Sequence, residues 1–168
     1  MFDIDIRVKY RYNIIDYSVA CATHGKEIIT MNRHDAREAV FALLFETEFR
    51  TDENKEEIFA VSTENREIPE DPYIRNAYFG VSEHLEEIDA LINKSANGWK
   101  TSRISKVSRS VLRLCVYEML YCRDEIPESV SINEAVELCK KFDEEKARPF
   151  VNGVLNSIKN EIVGESNG

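Results

Sequence analysis

Glycine and proline are scarce in this chain, at 6 and 4 of 168 residues. An all-β chain needs a turn every few residues, so that scarcity disfavours one. Long hydrophobic runs are missing too. No apolar stretch approaches the ~18 residues of a membrane-spanning helix, and the start of the chain lacks the basic-then-apolar pattern of a signal peptide. Cysteine is confined to Cys21, Cys115, Cys122 and Cys139. None forms a C-x-x-C pair or sits beside clustered histidines, which argues against a zinc site. The four read as reduced thiols, mostly buried in helices. Catalytic signatures are absent as well: there is no phosphate-cradling glycine loop and no nucleophile elbow, and His24, His34 and His84 are scattered. The expectation is a cytoplasmic binding protein without cofactor or metal, and not an enzyme.

What is present is enough chain for one domain with a real core. The net charge of −9 argues against a general nucleic-acid binder, but the charge is unevenly spread. Residues 51–71 hold eight acids against Lys55 and Arg66, while residues 99–113 hold Lys100, Arg103, Lys106, Arg109 and Arg113 with no acid. On a helical wheel the last four gather opposite Ile104, Val107, Val111 and Cys115. A solvated helix face is the favoured reading of that stripe; a path for RNA or a seat for an acidic partner is the other.

Residues 1–30 carry balanced charge and no sustained period, and helical patterning begins abruptly after Met31. Lys26-Glu27 can be encoded as AAGGAG, a bacterial ribosome-binding sequence, and three codons then precede Met31. The reading is an atypical extension over 1–30, with Met31 as the true start; a flexible tail is the alternative. Intact-mass measurement of the native protein distinguishes them.

From Met31 onward the period is helical. Arg33 to Phe49 has a broad apolar face of Ala36, Val40, Leu43 and Leu44. The acidic 51–71 segment predicts a short helix and a loop ending at Pro69 and Pro72. Ile74, Tyr78, Val81, Leu85, Ile88 and Ile92 predict one helix of about five turns, broken at Ser95 to Gly98. Another helix runs from Ile104 to about Cys122, followed by a loop over Asp124 to Pro127. Ser131-Ile-Asn-Glu134 is a capping-box pattern, opening a helix with Ile132, Ala135, Val136, Cys139 and Phe142 on one face. A last helix tolerates Pro149 in its first turn, and residues 164–168 read as a polar tail.

The stretch "FVNGVLNSI" carries an Asn-Gly pair, usually a hairpin signal. With no strand for it to join, Gly153 falls inside the last helix. Glycine costs about 1 kcal/mol there relative to alanine, which predicts close approach of another backbone and overpacking on substitution. Asn133 and Asn152 are polar residues inside apolar motifs, so they are expected to tie helix ends or neighbouring helices together.

Three stretches together, "MNRHDAREAVFALLFETEF", "VLRLCVYEML" and "INEAVELCKKF…FVNGVLNSI", resemble the NusB family of bacterial transcription antitermination factors. The resemblance covers residues 31 to about 162. It implies an all-α fold of about seven helices in two packed sub-bundles over 31–163. It also implies binding of single-stranded boxA RNA from ribosomal RNA leaders, together with the ribosomal protein NusE, within the RNA polymerase antitermination complex. Some family members form a homodimer that hides the RNA face. Carried over by position, the RNA surface joins Arg33, Arg37 and Phe45 of the first helix to Lys146 and Phe150 at the start of the last. Only two arginines open the first helix, with His34 and Asp35 between them, a departure from more basic members. Arg113 falls in the family's L-R motif, and the resemblance implies an internal structural pairing with Glu118 or Glu134.

Arg33 and Arg37 are four apart, on one helix face, where guanidinium groups grip phosphate; the bland alternative is solvation. Phe45 and Phe150 are read equally as core or as stacking platforms for unstacked bases. NusB-like modules also occur fused to RNA methyltransferases, and the residues after "FVNGVL" are too few for such a domain. A helical protein–protein adaptor without specific RNA binding is the rival expectation.

Overall fold

The computed structural model describes residues 31–96 and 98–166; the reading of residues 1–30 as an extension lies outside them, as does Cys21. Among the described residues seven α-helices follow one another: α1 (Arg33–Thr47), α2 (Lys55–Asn65), α3 (Pro72–Glu83), α4 (Leu85–Ser95), α5 (Lys106–Tyr121), α6 (Glu128–Phe142) and α7 (Ala147–Ser166), with one 3-10 turn at Thr101–Arg103. Among the described residues there is no strand.

Local chemistry sets the starts. The side chains of Asn32, Asn54, Asp71 and Ser105 each accept a bond from an orphan amide in the first turn of α1, α2, α3 and α5, and Pro72 opens α3 with its φ already helical. Helices α1 to α3 pack as one group and α4 to α7 as another, with α5 touching members of both. Their apolar stripes merge into a single core that includes Val40, Leu43, Tyr78, Ile92, Leu112, Met119, Leu155 and Ile158. Truncating a fully buried leucine such as Leu155 there removes about 2–5 kcal/mol.

Several expected details are corrected. The five-turn pattern from Ile74 to Ile92 is two helices, because His84 ends α3 and starts α4. Helix α3 lies on α1 and α5, whereas α4 turns to cover α5 and α7. Helix α6 begins at Glu128, one turn before the capping-box serine; the carbonyl of Pro127 accepts from the Ser131 amide at 3.2 Å, and Ser131 is buried inside the helix. Helix α7 continues to Ser166, through the predicted tail.

Gly153 is not a close-approach site: it is exposed, with nothing within 4 Å of where a Cβ would stand. Gly80 has that role, since a Cβ there would lie 2.3 Å from the Tyr117 ring. Asn133 and Asn152 are both exposed and line a shallow groove between α6 and α7 with Val136, Lys140, Arg148 and Pro149. Their expected role in tying helices together is not met, because apolar neighbours at positions three and four away carry the packing and leave both amides facing out.

Candidate nucleic-acid interface

Helix direction decides which sequence-predicted residues meet. At one end, His34 at the start of α1 meets Glu134 in α6 at 2.7 Å. Further along, Phe41 stacks on Phe142 at the end of α6, with centroids 4.8 Å apart. Helices α1 and α6 therefore run the same way. Helix α5 runs against them: Lys106 at its start donates to the Glu48 carbonyl beyond the end of α1 at 2.7 Å, and Asp143 beyond the end of α6 accepts from Ser105 at 3.3 Å. Helix α7 begins four residues after Asp143. The start of α7, the start of α5 and the end of α1 thus share one end of the bundle.

Phe150, Lys146 and Phe45 lie at that end. Lys146 is highly exposed and pairs with Glu144, at 3.0 Å. Phe150 is half-buried and meets Trp99 edge to face, with centroids 6.3 Å apart. Phe45 is also half-buried, 6.0 Å from Phe41 and 5.1 Å from the exposed ring of Phe49. The Lys106 ammonium stands 3.6 Å over Phe49, a cation–π contact.

Arg33 and Arg37 are not brought to that end. Arg33 is exposed over the Tyr73 ring, 4.3 Å from its centroid. It lines a cleft of about 640 Å³ with Tyr117, Tyr121, Cys122 and Asp124. Arg37 is 4% exposed. Its Nε donates to Glu118 at 2.9 Å, and its Nη1 lies 3.7 Å from Glu134. Glu118, itself buried, also accepts from the Tyr73 hydroxyl at 2.6 Å. Burial, together with the adjacent Glu118 carboxylate, pushes the Tyr73 phenol up, so it remains a donor. Arg37 is a buried structural cation, and the composite surface of both N-terminal arginines with Phe150 is not formed.

The basic stripe divides. Arg113 pairs with Asp89, at 2.7 and 2.8 Å, and with Glu48, not with Glu118 or Glu134. Arg109 also holds Glu48 and donates to the Thr101 carbonyl at 2.9 Å. Both arginines are only 13% exposed, so this part of the stripe is no solvated face: Glu48 and Asp89 draw it into the contact between helices. Lys100 and Arg103 are exposed. No motif or period in the sequence marks Trp99; its signal is that it is the single tryptophan and directly precedes the stripe.

The class is that of small all-helical domains, here with cations set beside half-exposed aromatic rings at one end. No described helix is long and apolar enough to cross a membrane. Residues 34–160 match the model of the NusB family. The chain is 42% identical over 132 residues to the transcription antitermination protein NusB of Bacillus pumilus, covering 79% of this chain and 98% of that one. Among solved structures, T. maritima NusB superposes with a TM-score of 0.68 at 37% identity, over 78% of this chain and 92% of that one. A crystal structure of the antitermination factors NusB and NusE in complex with dsRNA matches with a TM-score of 0.69 at 32% identity, over 77% and 96%. This chain belongs to the NusB family of transcription antitermination proteins, which are not enzymes.

Proposed function

We propose that this protein is a cytoplasmic antitermination factor that binds boxA-type single-stranded RNA jointly with NusE, through the end of the bundle where α7 begins. The observation that carries this reading is the grouping of Phe150, Lys146 and Phe45 at one end, beside Phe49 and Lys106. Lysines neutralise phosphates while aromatic faces receive unstacked bases. A related NusB has been crystallised with NusE in complex with dsRNA, which supports joint engagement of NusE and RNA. The chain's net charge of −9 favours weak binding alone and tighter binding beside a basic partner, because more phosphates are then neutralised.

The test is an anisotropy titration of labelled boxA RNA and a scrambled control, with and without NusE. Preference for boxA that strengthens with NusE is expected. Equal affinity for both RNAs removes specific recognition and leaves the protein–protein adaptor. Phe150→Ala should lower affinity by about 1–3 kcal/mol, the contribution of one stacked base, without changing the melting temperature by more than a few degrees.

A further inference from the structure

We propose that the turn joining α4 to α5 is a second RNA-contacting element, with Trp99 as a stacking platform and Lys100 and Arg103 as phosphate contacts. This rests on the reading of Phe150 as an RNA contact.

The turn is built to face outward. Gly98 takes φ +87°, which reverses the chain at the end of α4 without a side-chain clash. Its inner side is pinned: the Thr101 amide donates to Asn93 Oδ1 at 2.7 Å, and the Thr101 carbonyl accepts from Arg109 at 2.9 Å. Thr101 and Ile104 are buried, whereas Lys100 and Arg103 on either side of Thr101 are both exposed. Among the described residues no carboxylate forms an ion pair with either, unlike Arg109 and Arg113 on the same stripe.

Trp99 is 56% exposed. An indole left in water forgoes a large apolar burial, so a ligand that covers it gains that area back. Its ring meets Phe150 at 63°. Rings so inclined cannot both lie flat on one base or against one continuous base-paired stack. They suit two splayed bases of a single strand that turns between them, and the exposed Lys100 and Arg103, close along the chain to Trp99, offer cations to the phosphates of that turn. Charge complementarity and continuity with Phe150 therefore favour RNA over an acidic protein segment.

Trp99 is the chain's single tryptophan, so its fluorescence reports this one position. In the full chain with NusE, titration with the boxA oligonucleotide should quench that fluorescence in step with RNA anisotropy. Trp99→Ala should weaken RNA binding about 5- to 160-fold, with Trp99→Phe largely restoring it and circular dichroism unchanged in both. Lys100→Gln with Arg103→Gln should reduce the slope of log affinity against log salt by about 1.4 for a single strand. RNA binding by anisotropy with no quenching, and with affinity untouched in Trp99→Ala, overturns this proposal and leaves the Phe150 reading standing. No RNA binding by the wild type overturns both. Quenching by a poly-glutamate peptide but not by RNA overturns it in favour of an acidic protein partner.

Discussion

Arg37 and Glu118 form a pair that burial makes consequential. Both are almost fully shielded, and Tyr73 adds a third member to the network. Removing one partner of such a pair strands a charge without water. Arg37→Ala should therefore destabilise the fold by about 3–5 kcal/mol, measured by urea unfolding, whereas Arg37→Met with Glu118→Leu should recover most of that loss. If the single variant unfolds like wild type, the pair is not structural. His34 gives a second test at this scale. Its hydrogen bond to Glu134 raises its pKa against a smaller lowering by burial, with Glu38 and Asp35 adding to the rise. Arg37 beside Glu134 and Lys141 on Glu38 compete for the same carboxylates. A raised folded pKa means the contribution is complete below about pH 6.5, the free histidine value. It is lost as pH climbs through the folded value. The wild-type melting temperature should fall over that range, and His34→Gln should lack this component. The acid in "VYEML" was a legible sign of a buried cation, because a carboxylate inside an apolar run needs a partner. Which arginine answers it was not legible: Arg113 is near in sequence, but Arg37 arrives from another helix.

Helix α3 meets α5 where Gly80 faces Tyr117, and the space for even one methyl is absent. Gly80→Ala should destabilise by about 1–3 kcal/mol through overpacking, while Gly153→Ala on the open face of α7 should stabilise by up to about 1 kcal/mol. Thermal melts of the two variants moving in the same direction would contradict these assignments. Element existence was readable from the 3.6-residue period, since each helix must bury one stripe. Element ends were less so. Residues on either side of His84 keep compatible apolar spacing, so periodicity alone cannot register the bend. A glycine's neighbours lie on another helix, so sequence alone could not tell Gly80 from Gly153.

Over the whole molecule, the net charge of −9 hides a sorted surface. Glu48 and Asp89 neutralise Arg109 and Arg113 internally, while Lys100, Arg103 and Lys146 remain exposed. On the proposed reading, a molecule that repels polyanions at long range holds RNA through these few cations, and the affinity should fall steeply with salt. The fold class and family were legible because three motifs keep their order. The surface proposed for RNA was not, because it depends on whether helices run parallel or antiparallel: α1 presents its end, and not its beginning, to the start of α7. Amide chemical-shift mapping of the labelled protein with boxA RNA and NusE, referenced to the NusE-bound state, tests this directly. Shifts should cluster at Trp99 to Arg103 and Lys146 to Phe150. Shifts confined to Arg33, Tyr73 and Tyr121 would put the RNA at the opposite end and contradict the assignment.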